Sequence, residues 1–132
     1  MTQPVFKWLN KPIVLAIQNQ QIAEHGGSPG LLNPGLLESS LASPLKIYNY
    51  EENPSVFYLA AAYGFSLVKN HAFFDGNKRV AFMSMFVFLK INGFLLEVPE
   101  QEATLFMLNL AESKETQESL TQWLEKFSIK VS

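Results

Sequence analysis

Apolar side chains recur every three to four residues along most of this chain, a spacing typical of helices with one buried face. Asn10 provides a cap, Pro12 an early proline and Gly26 a stop, so a first helix is predicted over residues 11–24. The other predicted helices span about residues 33–44, 53–70, 77–92, 99–112 and 117–127. The pattern therefore predicts an all-α fold, a bundle of about six helices.

Two short segments depart from the helical period. Pro44 should end the second helix, because proline lacks the amide hydrogen that a helix interior needs. Residues 45–50 then alternate apolar and polar side chains among β-forming types, which predicts an extended flap or a hairpin. Residues 95–98 are predicted to form another short extended segment. We therefore expect a short β flap beside the helices, too short for a core sheet.

Length, composition and charge narrow the class of protein. A chain of 132 residues with 48% hydrophobic content fits one globular domain, predicted to span residues 1–132. Ten basic against twelve acidic side chains give a net charge of −2, so no direct nucleic-acid partner is expected. The absence of cysteine excludes disulfides and Cys-based metal or redox sites.

The sequence also lacks signals for export or membrane insertion. Residues 1–11 have neither the basic flank nor the continuous apolar stretch of a secretory signal. The most apolar window, residues 80–89, is well short of the roughly 18 to 20 residues that span a bilayer. We therefore expect a cytoplasmic protein that does not bind a membrane.

The side chains with the most chemistry lie together in residues 71–79, which read His-Ala-Phe-Phe-Asp-Gly-Asn-Lys-Arg. They directly precede the most apolar predicted helix. A glycine turn that opens a helix directs unpaired backbone N–H groups outward at the positive end of the helix dipole, an arrangement that binds phosphate oxygens. The segment therefore predicts a phosphate-handling active site.

Two residues of the motif could take part in catalysis. His71 is the natural general base, because an unperturbed imidazole titrates near neutral pH; the alternative is a histidine that only caps a helix end. Asp75 could hold a magnesium ion that also contacts nucleotide phosphates, or it could simply cap the turn. Zinc is disfavoured, because no third acidic or histidine ligand lies nearby in the sequence.

The remaining motif residues suit phosphate binding. Gly76 lets backbone N–H groups approach a phosphate closely, and Asn77 could cap the next helix or donate its amide to a phosphate. Lys78 and Arg79 could neutralise phosphoryl oxygens, unless they only cover the surface end of a buried helix. Phe73 is expected to point inward and to anchor the loop.

The motif resembles that of the Fic/Doc family, and the chain is similar to its death-on-curing (Doc) branch. The resemblance covers about residues 12–127 and implies a small helical bundle with a flap over the site. The common Fic motif, His-Pro-Phe-x-Asp/Glu-Gly-Asn-Gly-Arg-x-x-Arg, belongs to proteins that transfer AMP to a target hydroxyl. This chain differs from it at Ala72, Lys78 and Phe82. The Asn-Lys-Arg version is typical of Doc proteins.

The Doc resemblance implies a kinase. Its activity would be transfer of the γ-phosphoryl group from ATP to a threonine of elongation factor Tu, which inhibits translation, with the nucleotide bound in the opposite sense to that in Fic proteins. His71 would deprotonate the target hydroxyl and Asp75 would bind Mg²⁺. The resemblance implies that the phosphates are held by Lys69, Gly76, Asn77, Lys78 and Arg79.

The same resemblance implies a partner, the cognate antitoxin of a toxin–antitoxin pair. Self-inhibiting Fic proteins carry a Ser/Thr-x-x-x-Glu-Gly/Asn helix, and this sequence has no such string. Inhibition would then come from an antitoxin whose C-terminal segment folds into a groove on this chain. Two alternatives stay open: AMP transfer to a protein hydroxyl, and a catalytically idle module that binds antitoxin.

Overall fold

Six helices and two short strands make up residues 4–131, the part of the chain that the structure, a computed structural model, describes. In chain order they are α1 (Lys11–His25), α2 (Pro34–Tyr50), α3 (Val56–Asn70), α4 (Asn77–Ile91), β1 (Phe94–Leu96), α5 (Glu100–Ala111), α6 (Gln117–Lys126) and β2 (Ser128–Lys130). Residues 1–3 and residue 132 lie outside the described residues. Residues 1–3 begin the N-terminal segment in which no export signal is expected. The prediction of an all-α bundle of about six helices is confirmed.

Helices α3 and α4 form the centre of the fold. Helix α3 packs against α2, α4 and α6, and α4 also packs against α1 and α5. Gly64 allows α3 to approach α4 closely, because a Cβ at this position would overlap the thioether of Met85. The largest fully buried side chains include Tyr63, Phe73, Phe88, Leu37, Leu59 and Leu67. Within residues 4–131, no helix combines the length and the apolar character needed to cross a bilayer.

Polar side chains cap the first three helices. Asn10 and Asn33 each accept an amide hydrogen from the first turn of the helix that follows, as the sequence predicts. The third cap is Ser55, whose hydroxyl accepts the amide hydrogen of Tyr58. Helix α3 therefore begins at Val56, three residues after the predicted start at residue 53.

The predicted flap at residues 45–50 is wrong, because these residues form the last turns of α2. Pro44 does not end the helix; it lies inside it and is buried. The helical register is needed to place the Tyr48 ring edge-on against Phe6 and Trp8, at centroid distances of 5.8 and 5.3 Å. This aromatic packing outweighs the weak local preference for an extended chain, which depends strongly on context.

The two strands form one short antiparallel sheet, in which Leu95 pairs with Ile129. The extended segment expected at residues 95–98 is therefore confirmed in part, whereas the strand at the C-terminal end of α6 was not predicted. The sheet follows the last turn of α4 and packs against that helix. The 71–79 motif precedes the first turn of α4, so this sheet does not form a flap over the candidate site.

Candidate active site

The helix before the motif ends at His71, whose backbone is left-handed with a φ of 51°. Such a residue stops a helix and turns the chain, and histidine tolerates this conformation better than most side chains. His71 thus directly follows the last residue of the helix predicted to end at residue 70. Its imidazole is exposed, so a hydroxyl from outside the chain could reach it.

A buried clamp closes the loop that follows. The Asn77 carboxamide accepts a hydrogen bond from the Phe73 amide at 3.0 Å and donates one to the Phe73 carbonyl at 2.9 Å. Phe73 is 1% exposed, which confirms that it points inward, and Asn77 is 6% exposed. Both polar ends of the Asn77 side chain are thus bound to the loop backbone. Its backbone N–H belongs to the first turn of α4, where the helix itself offers it no acceptor.

An extended segment between α1 and α2 holds the loop from the other side. The carbonyl of Ala72 accepts amide hydrogens from Leu32 and Asn33 at 2.8 and 3.0 Å, and the Phe74 amide donates to the carbonyl of Gly30 at 3.3 Å. Leu31 and Phe73 form an antiparallel bridge between these bonds. The extended chain beside the motif is therefore in residues 30–33 and not, as predicted, in residues 45–50.

The same segment orients Asp75. Its Oδ2 accepts the amide hydrogen of Ser28 at 2.7 Å, and its backbone carbonyl accepts a long hydrogen bond of 3.5 Å from the buried Gln18 side chain. Gly27 packs so closely that a Cβ there would lie 3.2 Å from the Asp75 Cβ, and its φ of 112° is one that side-chain-bearing residues rarely adopt. Backbone and side chain of Asp75 are thus both fixed by α1 and the residues after it.

Helix α4 begins at a left-handed glycine, Gly76, with a φ of 80°. No side chain of the described residues caps this helix, so its first backbone N–H groups have no partner within the helix or from a cap. They border a cavity of about 320 Å³, which we call the loop cavity. The loop cavity is lined by His25, Gly26, Gly27, Asp75, Gly76, Asn77, Lys78 and Arg79.

Five of the predicted site residues therefore share one cavity, and two do not line it. The five are Asp75, Gly76, Asn77, Lys78 and Arg79. His71 is exposed at the start of the loop but is not among the lining residues. Lys69 donates from Nζ to the Ser113 hydroxyl at 2.5 Å, in the turn between α5 and α6, and lies 5.7 Å from the Phe65 ring centroid. The ammonium group of Lys69 is thus held by another part of the molecule.

A divalent cation could bind at Asp75 together with phosphate oxygens. The carboxylate is exposed, and within residues 4–131 its one hydrogen bond is to the Ser28 amide, so it retains acceptor capacity. No three His, Asp or Glu side chains of the described residues come together as a metal site. Mg²⁺ commonly uses one carboxylate plus phosphate oxygens, so this single carboxylate suits it.

A second cavity, of about 450 Å³, opens between α1, α4 and α5, and we call it the α5 cleft. Its lining consists of Gln21, His25, Lys78, Arg79, Phe82, Met83, Val98, Glu100, Ala103, Thr104 and Met107. Phe82 is therefore part of an apolar wall, at the position where the common Fic motif has an arginine. The cleft shares His25, Lys78 and Arg79 with the loop cavity.

Sequence reasoning missed the residues that position Asp75. Gln18 and Ser28 carry no motif, and their roles depend on contacts with a residue 57 and 47 positions away. One signal was available in the sequence, because Gly26, Gly27 and Gly30 place three glycines within five residues. Such a density indicates backbone that adopts unusual conformations or approaches a neighbour closely.

Comparison with known protein families gives a match that includes the motif loop. The family model described as "Fic/DOC family" matches residues 8–89, a range that contains the whole motif and the elements that hold it. The chain belongs to the Fic/DOC family. The matched range of this Fic/DOC domain begins at Trp8, just before α1, and ends at Leu89 in the last turn of α4.

Two curated Fic/DOC relatives carry the name Doc. The chain is 34% identical over 80 residues to "Protein kinase doc" of Escherichia phage P1, which covers 61% of this chain and 64% of that protein. It is 41% identical over 69 residues to "Toxin Doc" of Mycolicibacterium smegmatis, which covers 52% of this chain and 53% of that protein. The matched part thus spans less than two thirds of either relative's length.

Proposed function

We propose that this chain is the toxin of a toxin–antitoxin pair and transfers the γ-phosphoryl group of ATP to a threonine hydroxyl of elongation factor Tu. The observation that carries the proposal is the uncapped N-terminus of α4, whose free N–H groups border a cavity together with Lys78, Arg79 and the Asp75 carboxylate. The names of the two relatives, a protein kinase and a toxin, support the same activity.

Each residue has a role in the proposed reaction. The triphosphate binds at the first N–H groups of α4, and Lys78 and Arg79 balance its charge. Asp75 would hold Mg²⁺, and the ion would supply positive charge against the phosphate oxygens. His71 accepts the proton of the threonine hydroxyl as the threonine oxygen bonds to the γ-phosphorus. The bond from the γ-phosphorus to the bridging oxygen breaks, and ADP leaves with that oxygen.

The departures from the common Fic motif favour phosphoryl transfer over AMP transfer. Lys78 adds a cation beside the glycine turn, where it lines the loop cavity. Phe82 removes a cation one helical turn further on, where it lines the apolar α5 cleft. Since the positive charge is concentrated at the first turn of α4, the end of the nucleotide that carries the γ-phosphate is expected to lie there.

The experiment that tests the transfer uses two labels. The chain is incubated with elongation factor Tu, Mg²⁺ and ATP labelled at the γ or the α position. We expect label on the protein from the γ position alone, and a loss of at least about 10²-fold in rate for His71→Asn. Asparagine also tolerates the left-handed backbone, so this variant removes the base and keeps the turn.

Other results of the labelling experiment would indicate a different reaction or a different target. Label from the α position would identify AMP transfer instead. No label from either position, with Fic/DOC fold and nucleotide binding intact, would mean that the target is another protein or that the chain is idle.

The proposed partner is an antitoxin whose C-terminal segment occupies a groove on the chain. We expect growth arrest when the chain is expressed without its antitoxin, and relief when the antitoxin is supplied. His71→Asn should also relieve the arrest. Arrest that persists in His71→Asn would indicate a module that acts by binding and not by catalysis.

A further inference from the structure

Strand β2 pairs with β1 through every second residue of its backbone. The Val131 amide donates to the Gly93 carbonyl at 2.8 Å, and the Phe127 carbonyl accepts the amide hydrogen of Glu97 at 2.8 Å. In an antiparallel pair, the residues that bond to the partner strand alternate with residues whose N–H and C=O groups point the other way. The odd-numbered residues of this strand therefore face β1, and the even-numbered residues face away from it.

The two residues that face away are Ser128 and Lys130. Their backbone N–H and C=O groups form no hydrogen bond with another residue within 4–131. We call these backbone groups the β2 edge. A row of unpaired donors and acceptors on an outer strand can accept one more strand, whose backbone then completes the hydrogen bonds.

The side chains next to the β2 edge differ between the two faces of the sheet. Ile129 lies opposite Leu95 and on the same face as Val131, because side chains alternate along a strand. Ile129 is 52% exposed and Val131 is 44% exposed, whereas Leu96 on the other face is buried. The outer face of the sheet is thus apolar and uncovered. An added strand with apolar side chains on this face would cover it.

Lysines without ion-pair partners lie at one end of the same sheet. Lys130 belongs to β2, Lys90 lies in the last turn of α4, and the Lys7 amide donates to the Asn92 side chain in the turn before β1. None of the three forms an ion pair with a carboxylate within residues 4–131. The segments that carry them contain no Asp or Glu: residues 4–10, 88–95 and 127–131. We call these three side chains the basic end.

We propose that the β2 edge binds an extended segment of a partner protein in which acidic and apolar side chains alternate. The backbone of that segment pairs with Ser128 and Lys130. Its apolar side chains pack on Ile129, on the outer face of the sheet. Its acidic side chains lie on the opposite face, where they meet Lys130 and the rest of the basic end. This site uses neither the loop cavity nor the α5 cleft, so it goes beyond the proposed transfer reaction and does not depend on it.

The charge at the β2 edge favours an acidic segment over a second copy of this chain. Two β2 strands paired edge to edge would bring the basic ends of both copies onto one short sheet, and like charges at that distance repel. A lysine on an outer strand is a common protection against such self-pairing. The same lysines attract a strand that carries carboxylates.

Two labelled peptides test the charge argument. Each has about nine residues, enough for one strand, and the first alternates Glu with Val whereas the second alternates Lys with Val. Binding to the whole chain is measured by fluorescence anisotropy without nucleotide. We expect the Glu peptide to bind at least about tenfold more tightly than the Lys peptide, and the difference to shrink in about 0.5 M salt.

Hydrogen exchange tests strand pairing directly. The Ser128 and Lys130 amides should exchange rapidly in the free chain, and at least about tenfold more slowly when the Glu peptide is bound. The Ile129 and Val131 amides already bind β1, so their exchange should change much less. A peptide that only adhered to the lysines would not produce this alternation. NMR of the whole chain resolves the individual amides.

Two variants at one position separate the charge from the backbone contact. Lys130→Gln removes the charge and should weaken the Glu peptide about threefold. Lys130→Pro also removes the outward N–H, which β1 does not use, and should weaken the peptide about tenfold while proline remains compatible with an outer strand. Thermal unfolding checks that both variants are folded. The matched control is Lys114→Gln, before the first turn of α6, which should leave the affinity unchanged.

Three results would overturn the inference. One is equal affinity for the two peptides, or binding of neither. Another is binding of the Glu peptide without slower exchange at Ser128 and Lys130, which would indicate adsorption to the lysines alone. The third is slow exchange of these amides in the free chain that strengthens with protein concentration, which would identify a second copy as the occupant. None of these results bears on phosphoryl transfer, because the peptides bind without nucleotide.

Discussion

The Asn77 side chain fixes the backbone of the motif loop, because both of its polar ends bind the backbone of Phe73, four residues earlier. In Asn77→Asp, the Phe73 amide keeps an acceptor, but its carbonyl then faces a buried carboxylate oxygen. We expect a loss of about 1–3 kcal/mol in the free energy of unfolding, measured with urea. Asn19→Asp, on the exposed face of α1, should change little.

The same variant separates two roles for Asn77. A clamp predicts that stability and phosphate transfer fall together. Should Asn77→Asp keep the full free energy of unfolding and lose only nucleotide affinity, the carboxamide would contact phosphate directly, as the sequence first suggested.

Tyr63 makes the free energy of unfolding depend on pH in alkaline solution. Burial raises the pKa of Tyr63 to about 12, although its hydrogen bonds with the Leu9 backbone act in the other direction. Above pH 10 the unfolded chain loses this proton and the folded chain retains it, so the free energy of unfolding falls as pH rises. The loss should reach about 2–3 kcal/mol by pH 12.

The variant Tyr63→Phe isolates this effect. It should cost about 1–2 kcal/mol at neutral pH, because the Leu9 amide loses its partner, and the difference from the unaltered chain should shrink above pH 10. Denaturant unfolding at pH 7 and pH 11 measures both. A difference that stays constant between these pH values would show that Tyr63 ionises equally in the two states.

At the scale of helices, the contact between α3 and α4 depends on a missing side chain. A methyl group at Gly64 would overlap the Met85 thioether at the centre of the core. We expect Gly64→Ala to lower the free energy of unfolding by about 1–3 kcal/mol, in spite of the better helix propensity of alanine. Thermal unfolding provides the measurement.

Gly35→Ala is the matched control, because Gly35 lies in the first turn of α2, where a methyl group would meet the Asn33 side chain at an ordinary distance of 3.4 Å. This variant should be neutral or slightly stabilising. Equal destabilisation by both changes would contradict the packing argument for Gly64.

Helix α2 shows where a local pattern failed. Residues 45–50 alternate well enough to suggest a strand, but six residues are too few to separate a strand from a helix by periodicity alone. The distinction depends on Tyr48, whose hydroxyl donates to the Pro4 carbonyl at 2.7 Å and whose ring packs on Phe6. Pro4 and Phe6 lie more than forty positions before Tyr48, so a prediction from a short stretch of sequence does not include their contacts.

For the whole molecule, the features that the sequence predicted correctly depend on interactions between residues that are close together in the chain. Asn10 and Asn33 each act on the first turn of their own helix, and the 71–79 motif is continuous, so these features were readable. The contacts of Ser28 and Gln18 with Asp75 were not, because they require α1 and the loop to be packed together first. Sequence alone therefore located the candidate site and its motif residues, and the structure supplied the residues that position Asp75.

Both described ends of the chain are bound to neighbouring residues after α4. The Lys7 amide donates to the Asn92 side chain at 2.8 Å, and the Val131 amide donates to the Gly93 carbonyl at 2.8 Å. Helix α4 has 15 residues, so these anchor points lie about 22 Å along its axis from the glycine turn. A fluorescent label on the exposed side chain of Lys7 or Val131 would consequently lie far from the candidate site and leave the loop cavity unobstructed.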